Sequence, residues 1–277
     1  MAHDLENAVA RHYGASRLIE TILDALRVSG LDPERLRPED LAPVDEFHIG
    51  GRPATEHAVA KMRLSAGVHV LDVGCGLGGA TRYLAAAAGH RVTGVDLTPE
   101  YVEAARTLAE RTGLADRIDY YAASALDMPF GTATFDAALT IHVAMNIKDR
   151  AGLYREIARV LKPGATFCVY DVMKGEKDGL IYPLPWAETA ATSHLTTPME
   201  TLALLADARF EVVESEDRTD FAIAFFRERL AAATAGPPPL GLHLLMGANA
   251  REKFVNMLAN LERGTIAPVV MIARRAA

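Results

Sequence analysis

Short apolar runs alternate with amphipathic segments through the middle of the chain. Each run has the length and composition of a buried strand, and each amphipathic segment repeats its apolar residues at the helical spacing. The predicted strands cover 69–73, 91–95, 117–122, 136–141 and 165–171, and the predicted helices between them cover 80–88, 99–112 and 150–161. Alternation of this kind predicts βαβ units, and hence a parallel sheet with helices on both faces.

The pattern changes toward the two ends of the chain. Before the first strand, helical spacing predicts helices at 5–26 and 55–64, and a proline-containing stretch at 31–43 predicts a loop between them. After the fifth strand the alternation stops until about residue 210, which is longer than a turn needs. The elements predicted beyond strand five are a helix at 198–206, a strand at 210–216, helices at 220–233 and 248–261, and a strand at 266–272.

Together these patterns predict an α/β protein with a Rossmann-like, doubly wound, mostly parallel seven-stranded sheet and additional N-terminal helices. We divide the chain into an N-terminal helical cap at 1–64, a central core at 65–172, and a third part at 173–277. The third part is expected to contain an insertion that covers the ligand-binding edge of the sheet, followed by the last strands of the sheet. The chain has 277 residues, half of them apolar, so one elaborated domain is expected rather than two.

The charge balance bears on the partners that the protein can bind. Lys and Arg number 29 and Asp and Glu 36, a net charge of −7, and no basic run exceeds Arg274-Arg275. Because phosphate binding needs a basic face, no nucleic-acid partner is expected, and small molecules are the expected ligands. The oligomeric state is left open, with a homodimer as one option.

The same composition predicts where the protein is found. The first residues are polar, unlike a signal peptide, and no apolar run approaches the length of a membrane span. Cys75 and Cys168 both fall in predicted core segments, so neither a disulfide framework nor a metal site is expected. A cytoplasmic location is predicted.

The segment from Val70 to Gly79 carries the most specific signal in the chain. Apolar residues flank Asp72, and a glycine-dense turn then runs into a helical pattern. Backbone N–H groups at such a strand–turn–helix junction point outward and attract an anionic or hydrogen-bonding ligand. Asp96 ends the second strand twenty residues after Gly76, where a carboxylate suits the two hydroxyls of a ribose. The pattern predicts a nucleoside cofactor across these two strand ends.

Gly74, Gly76 and Gly79 have the spacing G-x-G-x-x-G of dinucleotide-binding loops, which by itself is a weak signal. Asp72 argues against a dinucleotide, because its carboxylate would face a pyrophosphate at short range. S-adenosylmethionine instead brings an ammonium and a sulfonium, which a nearby acid stabilises. The alternative for Asp72 is a structural carboxylate that binds only loop or helix N–H groups.

Four segments in order resemble the motifs of class I S-adenosylmethionine-dependent methyltransferases. They are Val70 to Gly79, Val92 to Asp96, Ser124 to Phe130 with Phe135-Asp136, and Leu161 to Ala165. The resemblance implies S-adenosylmethionine as cofactor and S-adenosylhomocysteine as product. It implies a cofactor site built from Asp72, Gly74, Cys75, Gly76, Asp96, Leu97, Ser124, Ala125, Leu126 and His142. A broader similarity, through His48-Ile49-Gly50-Gly51, is to the ubiquinone/menaquinone C-methyltransferase and sarcosine/dimethylglycine N-methyltransferase branch.

Two positions in this site have alternative interpretations. Asp96 could cap the helix that begins at Thr98, although Thr98 itself offers a capping side chain. Many members of the family have Asp or Asn where Ser124 stands, accepting a hydrogen bond from the adenine amino group. That contact is therefore expected to involve Ser124, to pass to the backbone of Ala125 and Leu126, or to pass to Asp127, which could equally be a solvated turn residue.

Two histidines are candidates for catalysis. His142 follows the fourth strand, beside the position that the resemblance gives to the sulfonium, and its ordinary pKa suits a base or an acceptor-orienting group. His48, next to a glycine pair, is the second candidate. For both, a hydrogen-bonded structural histidine is the alternative, and His12-Tyr13-Gly14 is a weaker candidate still.

The insertion and the helix beyond it are rich in large side chains. These residues are expected either to form a second apolar cluster or to line an acceptor pocket. They are Tyr182, Trp186, His194, Met199, Phe221, Phe225 and Phe226. Core packing is favoured for the phenylalanines, and a pocket-lining position is favoured for Trp186.

The sequence therefore predicts a class I methyltransferase that moves a methyl group from S-adenosylmethionine to the N, O or C atom of a small molecule by in-line transfer. Such a reaction needs alignment and exclusion of water, with no conspicuous nucleophile or metal cluster. The alternatives are an NAD-dependent oxidoreductase and a non-catalytic module that binds S-adenosylmethionine.

Overall fold

The computed structural model describes residues 17–232 and 238–277. Its helices are Leu18–Val28 (α1), Pro38–Asp45 (α2), Gly51–Met62 (α3), Gly79–Ala88 (α4), Pro99–Arg111 (α5), Arg150–Val160 (α6), Pro198–Asp207 (α7), Thr219–Ala232 (α8), His243–Met246 (α9) and Ala250–Arg263 (α10). Its strands are His69–Val73 (β1), Arg91–Asp96 (β2), Ile118–Ala122 (β3), Phe135–Ile141 (β4), Leu161–Lys174 (β5), Phe210–Asp217 (β6) and Ile266–Arg275 (β7).

The seven strands form one sheet in the order β3-β2-β1-β4-β5-β7-β6. Parallel pairing joins the first five strands in that order, whereas β7 runs antiparallel to both β5 and β6. The predicted doubly wound, mostly parallel seven-stranded α/β fold is confirmed. The strand order reverses between β1 and β4, and ligands of such sheets bind outside the carboxyl ends of the strands at this point.

Apolar packing on both faces accounts for the central strands. Val70, Leu71 and Val73 of β1 are completely buried, and their side chains alternate between two apolar clusters on opposite faces of the sheet. A third cluster joins α1 and α2 to α5, and its members include Ile22, Leu26, Leu41, Tyr101 and Leu108. The N-terminal helices are thereby fixed beside α5.

Two predictions about the N-terminal region need correction. The stretch at 31–43 was expected to be a loop, but α2 begins inside it at Pro38, with proline at the first helical position and the Asp40 carboxylate accepting a hydrogen bond from Arg37 N. The helix predicted at 55–64 begins earlier, at Gly51. The part of the first predicted helix at 5–16, and with it His12-Tyr13-Gly14, lies outside the described residues.

The predicted strands and helices from residue 65 onward are confirmed in order and type. The largest difference is in β5, which extends from Leu161 to Lys174, because its long antiparallel pairing with β7 continues to Lys174. The short helix α9 was not predicted. Within 17–232 and 238–277, no helix is long and apolar enough to cross a membrane.

Candidate functional site

A cavity of about 680 Å³ opens at the carboxyl ends of the strands, where the strand order reverses. All ten residues of the predicted cofactor site lie in its wall, and so does His48. The ten are Asp72, Gly74, Cys75, Gly76, Asp96, Leu97, Ser124, Ala125, Leu126 and His142. The structure thus brings together residues from four strand ends that are far apart in the sequence.

The glycine loop after β1 is held by hydrogen bonds to β2. The N–H groups of Gly74 and Cys75 both donate to the carbonyl oxygen of Val95, at 2.7 and 3.0 Å. Gly74 has φ 77°, and a Cβ atom at this position would overlap the side chain of Val143. Glycine is required here for both reasons, because a side chain would strain the backbone and displace the segment after β4.

Asp96 links the end of β2 to this loop. One carboxylate oxygen accepts a hydrogen bond from Gly76 N at 2.8 Å and the other from Thr98 N at 2.9 Å. Burial raises the pKa of Asp96, and the hydrogen bonds from Thr98 and Gly76 hold back part of that rise. The expectation that Thr98 supplies the helix cap is wrong, because its side chain makes no capping hydrogen bond at the start of α5.

Asp72 lies deeper in the cavity wall and is 3 % exposed. Its carboxylate accepts a hydrogen bond from the Thr81 hydroxyl, on the first turn of α4, at 2.6 Å. Burial raises the pKa of Asp72 to about 7, although the bond from Thr81 opposes the rise. A cationic group beside this carboxylate would favour its ionised form.

The loop after β3 forms the next part of the wall. The Ser124 hydroxyl accepts a hydrogen bond from Leu126 N at 3.1 Å, so the serine side chain shapes its own turn. Leu126 N is therefore already engaged and is a poorer candidate for the adenine contact than expected. Asp127 is exposed and lies outside the cavity wall, which favours its interpretation as a solvated turn residue.

His142 occupies an unusual backbone conformation directly after β4. Its φ is 54°, in the left-handed region that residues other than glycine rarely adopt, and its N–H donates to Tyr170 O at 2.7 Å. The buried Nε2 atom has no hydrogen-bond partner in the described part of the chain. Burial lowers the pKa of His142 well below its ordinary value, and the charge of His48 adds to this effect. The expected pKa near neutrality is wrong, and the imidazole is neutral at neutral pH.

His48 belongs to a buried polar network instead of standing alone. Its Nε2 atom lies 2.8 Å from the Glu46 carboxylate and 3.0 Å from the Thr55 hydroxyl, and its Nδ1 atom lies 3.3 Å from Ile49 O. Glu46 also pairs with Arg52 at 2.7 Å. Burial alone would raise the pKa of Glu46, but its hydrogen bonds with His48 and Thr55 and the nearby charge of Arg52 lower it. These contacts match the alternative interpretation of His48 as a hydrogen-bonded histidine.

The insertion and the C-terminal helices complete the cavity on the other side. Of the large residues considered for this role, Trp186, His194, Phe225 and Phe226 line it. Trp186 is 2 % exposed, and its indole N–H donates to the Ser193 hydroxyl at 3.0 Å. The other three do not line the cavity: Tyr182 and Phe221 pack against the main apolar cluster, and Met199 is 78 % exposed.

Sequence reasoning missed several residues of the wall. Asp45 is the last residue of α2, which begins inside the predicted loop, and Glu46 follows it. Asp45 forms a buried ion pair with Arg82 at 2.5 Å. Others come from segments with no recognisable motif and include Met145, Asn146, Leu242, Leu245, Phe254 and Met257. Asn146 could have been noticed, as a polar residue close after the end of β4.

The donor set of the cavity fits S-adenosylmethionine. Gly76 has a positive φ and open space where a Cβ atom would lie, so a ligand can approach the loop backbone closely. The buried Asp72 carboxylate suits a cationic partner, and the Asp96 carboxylate at the adjacent strand end suits vicinal hydroxyls. Apolar residues, including Leu97 and Leu126, form the remaining wall at this end.

Comparisons with known proteins agree with this chemistry. A family model described as a methyltransferase domain matches residues 71–169. The O-methyltransferase resE of Aspergillus sclerotiorum is 30% identical over 189 residues, which cover 66% of this chain and 69% of that protein. The sterol 4-C-methyltransferase strm-1 of Caenorhabditis elegans is 40% identical over 118 residues, which cover 43% of this chain and 35% of that protein. Apart from resE, the chain spans half or less of the first curated relatives, at 48%, 35% and 31% of their lengths.

The fold is shared with solved structures over nearly the whole chain. The geranyl diphosphate C-methyltransferase from Streptomyces coelicolor A3(2) superposes with a TM-score of 0.72 and 20% identity, covering 98% of each chain. This likeness concerns the fold, whereas the match to resE extends over most of both sequences. The chain therefore belongs to the class I S-adenosylmethionine-dependent methyltransferase family, whose cofactor is S-adenosylmethionine.

Proposed function

We propose that this methyltransferase transfers the methyl group of S-adenosylmethionine to a small-molecule acceptor bound in the same cavity. One observation carries the proposal: a single cavity joins the carboxylates at the ends of β1 and β2 to a chamber of aromatic and aliphatic side chains. The carboxylate end suits a cationic nucleoside, and the apolar end suits the body of a small organic molecule.

In this proposal the residues of the strand ends hold the cofactor. Asp96 accepts hydrogen bonds from the ribose hydroxyls, and Asp72 faces the ammonium of the methionine part. The backbone of Gly74 to Gly76 approaches the same part of the ligand, and Ala125 and Leu126 border the adenine. The loops after β1, β2 and β3 contact one another, and Asp96 bonds to Gly76 and Thr98. These contacts support the assignment because they hold the loops in place before a ligand binds.

Bound S-adenosylmethionine supplies an electrophilic methyl carbon: the acceptor atom provides the electron pair of the new bond, and sulfur keeps the pair of the broken one. The protein aligns the acceptor and excludes water. His142 is placed to orient the acceptor, because its neutral imidazole lines the cavity and its Nε2 atom has no partner among the residues that the structure describes. His48 is assigned an indirect role, in which it and Glu46 position the wall next to His142, whose ring centre lies 5.9 Å away.

The first experiment is calorimetric titration of the purified protein with S-adenosylhomocysteine, with NAD in parallel. We expect S-adenosylhomocysteine to bind with a dissociation constant of about 1–100 μM and NAD not to bind. Binding of NAD without S-adenosylhomocysteine would refute the cofactor assignment and favour the oxidoreductase.

A second experiment separates an enzyme from a binding module. Protein incubated with methyl-labelled S-adenosylmethionine and a small-molecule extract should form S-adenosylhomocysteine and a labelled small molecule. A protein that binds the cofactor but forms neither product with any extract would be a binding module. The open chamber beside the cofactor end supports the enzyme, since a binding module has no need of it.

We also propose a cytoplasmic location. Cys75 and Cys168 are free thiols buried in the core, and burial raises the pKa of both. Fractionation of the cells that produce the protein tests this proposal directly.

A further inference from the structure

The acceptor side of the cavity is lined mainly by uncharged, apolar side chains. Trp186 comes from the insertion, Phe225 and Phe226 from α8, and Phe254 and Met257 from α10. The rings contact one another, with the Phe226 centre 5.2 Å from that of Phe225 and 5.4 Å from that of Phe254. Such a wall favours the burial of an apolar ring or chain.

The charged groups of the cavity are mostly negative and lie toward the strand ends and the N-terminal helices. The carboxylates in those places are Asp45 and Glu46, which pair with Arg82 and Arg52, and Asp72 and Asp96. Among the lining residues that the structure describes, Lys148 is the only Lys or Arg, and it is exposed beside the equally exposed Asp149. A phosphorylated or carboxylated acceptor would therefore find no buried cationic partner in the described wall, and a protonated amine in the apolar chamber would lose its hydration.

Two histidines supply polar atoms to this mainly apolar wall. His142 and His194 both line the cavity, and the buried Nε2 atom of each has no hydrogen-bond partner among the described residues. His194 N donates to Met145 O at 2.8 Å, three residues after His142, so the two histidines belong to one wall. Buried polar atoms without a partner are costly, and a ligand that supplies one gains affinity.

The backbone holds both histidines in place. Arg150 donates to His194 O at 2.9 Å, and its guanidinium is fixed by a buried ion pair with Asp171 at 3.0 Å. His142 keeps its left-handed φ of 54° through its hydrogen bond to Tyr170. A sparsely populated conformation in a cavity wall is commonly maintained for function, since it has a conformational cost.

From these contacts we infer that the acceptor is a neutral, largely apolar molecule with a hydroxyl group, and that His142 and His194 bind that hydroxyl. The inference rests on the proposed function and narrows it to one class of acceptor. It also adds His194, a residue of the insertion, to the acceptor-binding residues.

A series of probes that share one carbon skeleton and differ in their terminal group tests the inference. The dissociation constant of each probe is measured, so the test does not depend on turnover. The probes are geraniol, the matching hydrocarbon dimethyloctadiene, geranylamine and geranyl diphosphate, each titrated into protein saturated with S-adenosylhomocysteine. Trp186 is the single tryptophan of the chain and lines the cavity, so its fluorescence reports occupancy. We expect geraniol to bind about tenfold more tightly than each of the other three, the difference that one hydrogen bond to a buried group supplies.

Variants assign the preference to the histidines. His142→Phe combined with His194→Phe keeps the ring volume but removes the hydrogen-bonding atoms, and should abolish the preference for geraniol over dimethyloctadiene. The matched control is His69→Phe, at the opposite end of β1 and outside the cavity wall, which should retain the preference.

The possible outcomes distinguish a failure of the inferred acceptor class from a failure of the proposed function. Tighter binding of geranylamine or geranyl diphosphate than of geraniol would overturn the inference, as would a preference that survives both His→Phe changes. Binding of S-adenosylhomocysteine without any binding of geraniol would also overturn it, while leaving the proposed function intact. Failure to bind S-adenosylhomocysteine would instead overturn the proposed function itself.

Discussion

Replacing Asp96 by alanine tests the central assignment of the cofactor site. The carboxylate accepts hydrogen bonds from Gly76 N at 2.8 Å and Thr98 N at 2.9 Å, and in the proposed function it also binds the ribose hydroxyls. The substitution should therefore affect two quantities: the affinity for S-adenosylhomocysteine and the stability of the loops at the ends of β1 and β2.

The two effects have different expected sizes. Loss of charged hydrogen bonds to the ribose should weaken binding by about 1–3 kcal/mol, which is about 5- to 150-fold in the dissociation constant. Each backbone N–H left without an acceptor costs about 1–3 kcal/mol, so the free energy of unfolding should fall by about 2–6 kcal/mol. Water that enters the vacated space would reduce the second figure.

The assay is calorimetric titration with S-adenosylhomocysteine, paired with urea denaturation of the same preparations. Asp149→Ala is the matched control, because Asp149 also lines the cavity and its carboxylate accepts a hydrogen bond from a backbone N–H, that of Gly152 at 2.8 Å. The control should lose about 1 kcal/mol of stability, as for a removed helix cap, and keep its affinity.

Two results would refute the reasoning. Folded Asp96→Ala protein with unchanged affinity would remove Asp96 from the ribose site and would question the assignment of the neighbouring residues. An equal loss of affinity in Asp149→Ala would show that the cavity responds to a general loss of charge or rigidity, not to a specific contact.

Three further predictions concern the groups around this site. Asp72 has a pKa of about 7 in the folded protein and 3.8 ordinarily. Its protonated side chain therefore contributes to the free energy of unfolding, fully below about pH 4, and this contribution is lost as the pH rises through 7. A bound ammonium favours the ionised form, so affinity for S-adenosylhomocysteine should rise up to about tenfold per pH unit toward pH 7, and a rise that persists in Asp72→Asn would contradict this. Arg82→Met leaves Asp45 buried without its partner and should cost about 3–5 kcal/mol in urea denaturation, much of it recovered by adding Asp45→Asn; a cost below about 1 kcal/mol would disprove it. Gly74→Ala should lower the free energy of unfolding by about 2–5 kcal/mol, through backbone strain and through overlap of the new Cβ atom with Val143. Adding Val143→Ala should relieve only the overlap, so full recovery of the free energy of unfolding in the double variant would argue against backbone strain.

Much of the fold could be predicted from the sequence, because its elements depend on local patterns. The apolar run at His69–Val73 and the proline after Thr98 mark a strand and a helix start without reference to distant residues. The exception was α2, where prolines at 38 and 43 suggested a loop; packing of Leu41 and Val44 into the third apolar cluster stabilises a helix there.

The convergence of the predicted cofactor residues in one cavity wall was predictable for the same reason. The glycine loop and Asp96 lie in motifs with a fixed spacing, and the parallel sheet necessarily brings the strand ends to one edge. The properties of individual groups were not predictable in this way. The neutral state of His142 depends on its burial, and the restraint on His48 depends on Glu46, Arg52 and Thr55.

Local patterns along the chain were enough to predict the α/β fold, the family and the strand-end loops that meet in the cavity wall, because these follow from periodicity and from short motifs. The acceptor side depends instead on how distant segments pack. Trp186, His194, Phe226 and Phe254 are separated along the chain and belong to no motif, and they meet only because the insertion and the C-terminal helices fold over the same strand ends. Contacts between distant segments leave no periodic signal in either one, so the wall that is proposed to bind the acceptor appears only in three dimensions.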